Sequence, residues 1–198
     1  MHHLGHLFLA EETGEFQFGA FIADGVRAQR LALLPPGVRL GVEFHRWVDW
    51  QTDRHPAFLE ARRLLRSAAG RYAGLMVDLW LDVVLGEQWP SLAIEPIETF
   101  EQRFREESLL PYQIWVPPSW RAFVERLCQE RLLLHFASAD FMLKHMEQFI
   151  QRRQLPLRPS SIQETIQNER AYLSEVLGSF WREALSWRRR TDTFKPNP

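Results

Sequence analysis

Phe44-His45-Arg46-Trp47-Val48-Asp49-Trp50-Gln51-Thr52-Asp53-Arg54-His55-Pro56 decides how this chain is read. His45, Asp49 and Asp53 recur every four residues, so on a helix they form one polar row. Trp47, Val48 and Trp50 point elsewhere and can anchor that helix in a core, and Pro56 is suited to open the next helix. A row of imidazole and carboxylates backed by aromatics can bind a divalent metal and the water it activates. The plainer alternative is a solvated helix face ending at a Thr or Asp cap. A rise of about 1.5 Å per residue separates His45 from Asp53 by about 12 Å, so the two do not share one ion.

Upstream, Pro35-Pro36-Gly37 breaks the chain and starts this helix. Residues 1–10 carry His2, His3 and His6 in an apolar setting that suits a short helix or buried segment, and 11–15 read as a loop. The spacing predicts a short helix over 19–29 around Asp24, whose neighbours are Phe21, Ile22, Ala23 and Val26. A carboxylate in such company is paired, ligated or capping. Downstream, a helix is expected over 56–67. The most apolar helix is expected over 72–89, with Asp78 and Asp82 one turn apart. Like charges so placed repel, and a bound metal or an Arg between them would resolve the conflict.

Amphipathic spacing predicts further helices over 95–109, 119–135, 138–154 and 160–190, the last capped by Ser160 or Ser161, with 191–198 a frayed tail. His145, among Phe141, Met142 and Phe149, reads as a half-buried core histidine. No hairpin-bounded alternation or internal repeat occurs. The expected fold is all-α, a single domain over 1–198 with seven or eight helices.

Composition agrees with a folded chain: of 198 residues 45% are apolar and 13% aromatic, with eight Trp. The formal net charge of −1 argues against a general nucleic-acid binder. Cys128 is the only cysteine, which removes intramolecular disulfides and cysteine-based zinc clusters. It reads as a small buried hydrophobe. No export signal or apolar run of about 18 residues is visible, so the expectation is a soluble cytoplasmic protein without a membrane span. Oligomeric state is left open. A phosphate-binding glycine loop, G-x-S-x-G and H-E-x-x-H are all missing, while His and Asp concentrate in the first half. That composition suits metal-assisted hydrolysis.

The order of motifs is Leu4-Gly5-His6-Leu7, Gly19-x4-Asp24-x-Val26, His45-Arg46-x-Val48-Asp49-x2-Thr52-Asp53-x-His55-Pro56 and Asp78-x3-Asp82. It resembles the acyl carrier protein phosphodiesterase family over nearly the whole chain. The resemblance implies an all-helical fold distantly like the HD-domain phosphohydrolases. It also implies a divalent cation, Mn2+ or Mg2+, and removal of 4′-phosphopantetheine from holo acyl carrier protein. The chain departs from the family pattern at His2, Phe8, Ala20 and above all Val83, where the family usually has His after Asp82. That loss removes a candidate ligand or proton donor, so that either His2 or His3 compensates, or the metal site is weakened, or this member has drifted from the parent reaction.

Phosphodiester hydrolysis needs neutralised phosphate oxygens and an activated water. The expected metal ligands are Asp24, His45 and Asp82, with His6 a further candidate. Asp24, Asp49 and Arg46 are the expected catalytic residues, with Asp49 orienting a ligand or acting as base. Arg46 either grips a phosphate oxygen or pairs with Asp49 or Asp78. Carrier proteins are acidic, so Arg62, Arg63, Arg66 and Arg71 are either a partner site or a solvated face. Two other functions stay open: an HD-like phosphohydrolase on a small phosphoester, and a non-catalytic helical protein that binds carrier protein.

Overall fold

The computed structural model describes residues 3–10 and 14–188. His2, most of the loop expected over 11–15 and the tail expected over 191–198 lie outside them. Among the described residues there is no strand. The helices run α1 (His3–Leu9), α2 (Glu15–Ile22), α3 (Ala28–Leu31), α4 (Pro36–Thr52), α5 (Pro56–Ala69) and α6 (Ala73–Leu92). They continue with α7 (Ile97–Arg103), α8 (Arg121–Glu130), α9 (Leu132–Phe136), α10 (Ala139–Arg152), α11 (Pro159–Asn168) and α12 (Arg170–Arg188).

Helix α6 is apolar around most of its circumference, and such a helix is stable only at the centre of a core. Met76, Val77, Trp80, Leu81, Val83, Val84 and Leu85 are all buried, and α1, α5, α9, α10 and α12 pack around it. Trp181 of α12 is buried against it and donates from Nε1 to the Leu81 carbonyl at 3.0 Å. Proline fixes the starts of α4 and α5. Pro36 and Pro56 occupy the first helical turn, where a missing N–H costs nothing.

More helices form than expected because three expected elements are interrupted. α2 stops at Ile22, and a 3-10 turn over Ala23–Gly25 places Asp24 in a bend rather than in a helix. The expected helix over 119–135 breaks at Arg131, which adopts the left-handed conformation with φ 48°. There its guanidinium reaches Oε2 of Glu101 at 2.7 Å, and Glu101 is 1% exposed. Pairing that buried carboxylate outweighs a left-handed penalty of about 1–2 kcal/mol. The last expected helix divides at Glu169, and Pro159 rather than a serine opens its first half. A π-helical turn over Phe104–Leu109 follows α7. Cys128 is half-buried rather than buried. His145 is half-buried against Phe136 and Phe141.

Two glycines set the closest approach in the fold. A Cβ on Gly19 of α2 would lie 2.0 Å from the Val38 carbonyl oxygen of α4. One on Gly41 of α4 would lie 2.0 Å from the Phe16 oxygen and 2.8 Å from the Ala20 nitrogen. The helices therefore touch backbone to backbone, and this contact brings the residues after Gly19 against those after Gly41.

Candidate metal centre

Gly41, His45 and Asp49 share one face of α4, and the α2 contact at Gly41 places His45 under the end of α2. There its Nδ1 lies 2.8 Å from the carbonyl oxygen of Ala20. A carbonyl only accepts, so Nδ1 carries the proton of that bond and Nε2 is directed at the carboxylates. Nε2 of His45 is 3.3 Å from Asp24 and 3.2 Å from Asp49. From α1, His6 stacks on His45 with ring centroids 3.5 Å apart and planes 11° from parallel. Its Nε2 reaches the other Asp49 oxygen at 3.0 Å. Both imidazoles are buried, whereas the side chains of Asp49 and Asp24 are 39% and 59% exposed. The site is a pair of buried rings beneath two carboxylates that face solvent.

Two rings in face-to-face contact do not both hold a charge, and the surroundings decide which does. Burial, together with the charge of His45, pushes His6 down to about 3, so it is neutral. Burial also opposes charge on His45, but hydrogen bonds to Asp24 and Asp49 outweigh it and push its pKa up to about 9. The same bonds overcome burial at the carboxylates. Asp49, bonded to both imidazoles, and Asp24, bonded to His45, are held well below the usual carboxylate range.

His6, His45 and Asp49 each offer a ligand atom within 4.8 Å of the others, and among the described residues they form a group able to hold a metal ion. The charges fit a divalent cation. With one proton shared among two carboxylates and two imidazoles the cluster keeps a net −1, and exchanging that proton for a dication makes it neutral. Imidazole nitrogen and carboxylate oxygen without thiolate is also a usual donor set for such ions.

The other sequence-derived candidates are placed as follows. Asp82 is not in the cluster. It is fully buried, and its two oxygens accept the Leu4 and Gly5 amides of α1 at 2.9 and 3.0 Å. Burial pushes its pKa up to about 6 against those two bonds. The charge conflict expected on α6 is eased at Asp82 by two amides at the positive end of a helix. Burial also pushes Asp78 up. Arg46 donates to the Val26 carbonyl at 3.3 Å and so ties α4 to the turn that carries Asp24. His3 lies within 6 Å of the rings of Phe21, Trp120, Phe123 and Phe136, and Val83 belongs to the hydrophobic core. His55 receives the Ala57 amide at Nδ1 and faces Glu183 of α12, so the end of the motif starts α5. Gly41 and the Ala20 carbonyl were not anticipated. A glycine inside a helix costs about 1 kcal/mol, and that cost is the signal that would have marked a close approach at Gly41.

The family profile described as acyl carrier protein phosphodiesterase matches residues 1–184. An acyl carrier protein phosphodiesterase of Klebsiella pneumoniae strain 342 is 27% identical over 183 residues, covering 92% of this chain and 93% of the relative. One of Escherichia coli strain 536 is 31% identical over 156 residues, covering 77% and 79%. No solved structure matches. The profile match over most of the chain and the likeness to these relatives class it: the chain belongs to the acyl carrier protein phosphodiesterase family.

Proposed function

We propose that this protein hydrolyses the phosphodiester joining 4′-phosphopantetheine to a serine of holo acyl carrier protein, releasing apo carrier protein and phosphopantetheine. One observation carries the reading: a family member of this kind holds His6, His45 and Asp49 as convergent donors, with Asp24 opposite His45 on the open side. These residues would hold Mn2+ or Mg2+, with Asp24 completing the set. Such an ion would neutralise phosphate oxygens and ease loss of a proton from the attacking water near neutral pH.

The chain's own groups supply the rest. Asp24 is ionised and exposed beside His45, where it can accept a hydrogen bond from the attacking water and orient it. Asp49, held by both imidazoles, fixes the two rings relative to each other. Arg46 gives one N–H to Val26, and the other guanidinium N–H groups of this exposed side chain can grip a phosphate oxygen. Arg62, Arg63, Arg66 and Arg71 line a single concavity of about 440 Å³ on α5 and the turn before α6. Opposite charge makes this a fitting surface for an acidic carrier protein.

Helices from α1 to α12 contribute to one core, which supports reading residues 1–198 as one domain. No helix among the described residues is long and apolar enough to cross a membrane. A cytoplasmic location suits a chain with one cysteine and a carrier-protein substrate.

Mass spectrometry of holo acyl carrier protein incubated with the protein and Mn2+ tests the proposal, beside a chelator control and an Asp24→Ala variant. Loss of the phosphopantetheine mass is expected only with metal and only in the unsubstituted chain. An intact holo carrier protein under every metal would overturn it.

A further inference from the structure

The turn that carries Asp24 also forms one wall of a second feature. Gly25 and Val26 border a pocket of about 250 Å³ whose other walls come from the end of α3 and from the connection before α8. Leu33, Leu34, Ile114 and Trp115 give it an apolar lining, and Arg30 and Arg121 are its charged members, with no carboxylate present. Gly25 is what lets the turn pack closely against the connection before α8. A Cβ there would lie 2.8 Å from Trp120 Nε1 and 3.0 Å from Pro117. Leu33 and Ile114 are 72% and 80% exposed and Trp115 40%, a concentration of solvent-facing apolar surface that marks a binding face.

We propose that this pocket binds the pantetheine arm of the substrate and so determines specificity; the inference rests on the phosphodiesterase reading of the neighbouring site. The arm is covalently joined to the scissile phosphate. A quaternary carbon bearing two methyl groups follows the ester CH2, so an apolar wall is needed within a few ångströms of the phosphate. Val26, two residues after Asp24, lines the pocket with Leu34 and can provide it. Beyond the methyl groups the arm is uncharged, with two amide carbonyls. Such a ligand needs a few well-placed donors in an otherwise apolar cleft, and it is disfavoured by carboxylates. The guanidinium groups of Arg30 and Arg121 are those donors. An acidic protein surface, by contrast, would gain little from Leu33, Ile114 and Trp115.

The test titrates pantetheine, which lacks phosphate and carrier, into the full-length protein by ligand-observed NMR, with Mn2+ present. Unsubstituted protein is compared with Leu33→Asp and Ile114→Asp, and with Ile94→Asp as a control at an exposed position in a different pocket. All three replace exposed side chains, so the core is left intact. Pantetheine is expected to bind the unsubstituted protein and Ile94→Asp alike, and at least tenfold more weakly to the two pocket variants. In turnover of holo carrier protein the pocket variants should raise KM with kcat little changed, and inhibition by apo carrier protein should stay unchanged. Pantetheine that does not bind, or binds all variants equally, overturns the proposal. So does a loss confined to apo carrier protein inhibition, which would make this face a protein-docking surface. If pantetheine binds as expected but holo carrier protein is never cleaved, the pocket stands and the phosphodiesterase reading falls.

Discussion

Gly41→Ala should damage the candidate metal centre without touching a donor. The added methyl would stand 2.0 Å from the Phe16 oxygen and 2.8 Å from the Ala20 nitrogen, both main-chain atoms that no side-chain rotation can move aside. Ordinary contact begins near 3.4 Å, so α2 and α4 must part by about 1.4 Å. Overpacking of this kind costs up to about 3 kcal/mol, and replacing glycine inside a helix returns about 1 kcal/mol. The expected net loss is about 2 kcal/mol, or roughly 4–8 °C in Tm for a chain of this size. The same displacement stretches the 2.8 Å bond between His45 and the Ala20 carbonyl beyond hydrogen-bond range. Loss of a partner that orients a ligating imidazole lowers metal affinity about 10- to 100-fold. Gly74→Ala is the control, because its Cβ would meet only Arg62 and Phe58 side-chain atoms at 3.6 and 3.9 Å. It should stabilise by about 0.4–1 kcal/mol. Thermal unfolding and a Mn2+ titration followed by electron paramagnetic resonance measure both effects. A Gly41→Ala protein that melts with its control and binds Mn2+ like the unsubstituted chain would refute the reasoning.

Asp82→Asn keeps one acceptor for the α1 amides and opposes the other with an NH2 group, so stability should fall by about 1–3 kcal/mol while Mn2+ affinity stays within about twofold. Lost affinity at unchanged stability would identify Asp82 as a ligand. Arg131→Ala strands the buried Glu101 carboxylate and should cost about 3–5 kcal/mol in urea unfolding, with no effect on metal binding; a loss under 1 kcal/mol would contradict this. A metal that displaces the His45 proton must compete with it, so below the pKa of about 9 Mn2+ affinity should rise about tenfold per pH unit. An affinity flat from pH 6.5 to 8.5 would show that His45 is not a ligand. With chelator present, the raised His45 pKa contributes stability fully below about 6.5 that is lost as pH rises through about 9. The expected fall is about 3 kcal/mol, and a level urea midpoint across that interval would count against the His45–carboxylate bonds.

What could be read from the sequence was what local chemistry decides. Pro36 and Pro56 mark helix starts by their fixed φ, and α6 announces its central place by being apolar on nearly every face. His45 and Asp49 are one turn apart, so their approach to each other was legible as well. The failures share one cause, which is that a distant partner decides the local conformation. Arg131 breaks a periodic helix because Glu101, thirty residues earlier, is buried and needs a cation. Asp24 sits in a turn because Gly25 packs against Trp120, and Asp82 of α6 meets the α1 amides, 78 and 77 residues earlier in the chain. His6 and His45 come from helices whose spacing along the chain says nothing of ring stacking.

Position 83, where the resemblance implies His, carries Val, and its effect depends on how the cluster is held. Val83 lies in the core of α6, and its neighbour Asp82 binds the first turn of α1. α6 therefore acts on the site through α1: it fixes the helix that lays His6 on His45. Ala20 does the same for His45 and Arg46 for the turn bearing Asp24. His6, His45 and Asp49 converge with Val83 in place, and the two imidazoles already divide into one protonated and one neutral ring. With valine at 83, three donors and an open carboxylate are assembled. If position 83 mattered through packing alone, Val83→His would lower stability by burying an imidazole and would not raise Mn2+ affinity. A gain in affinity would instead identify a fourth ligand position that this chain has given up.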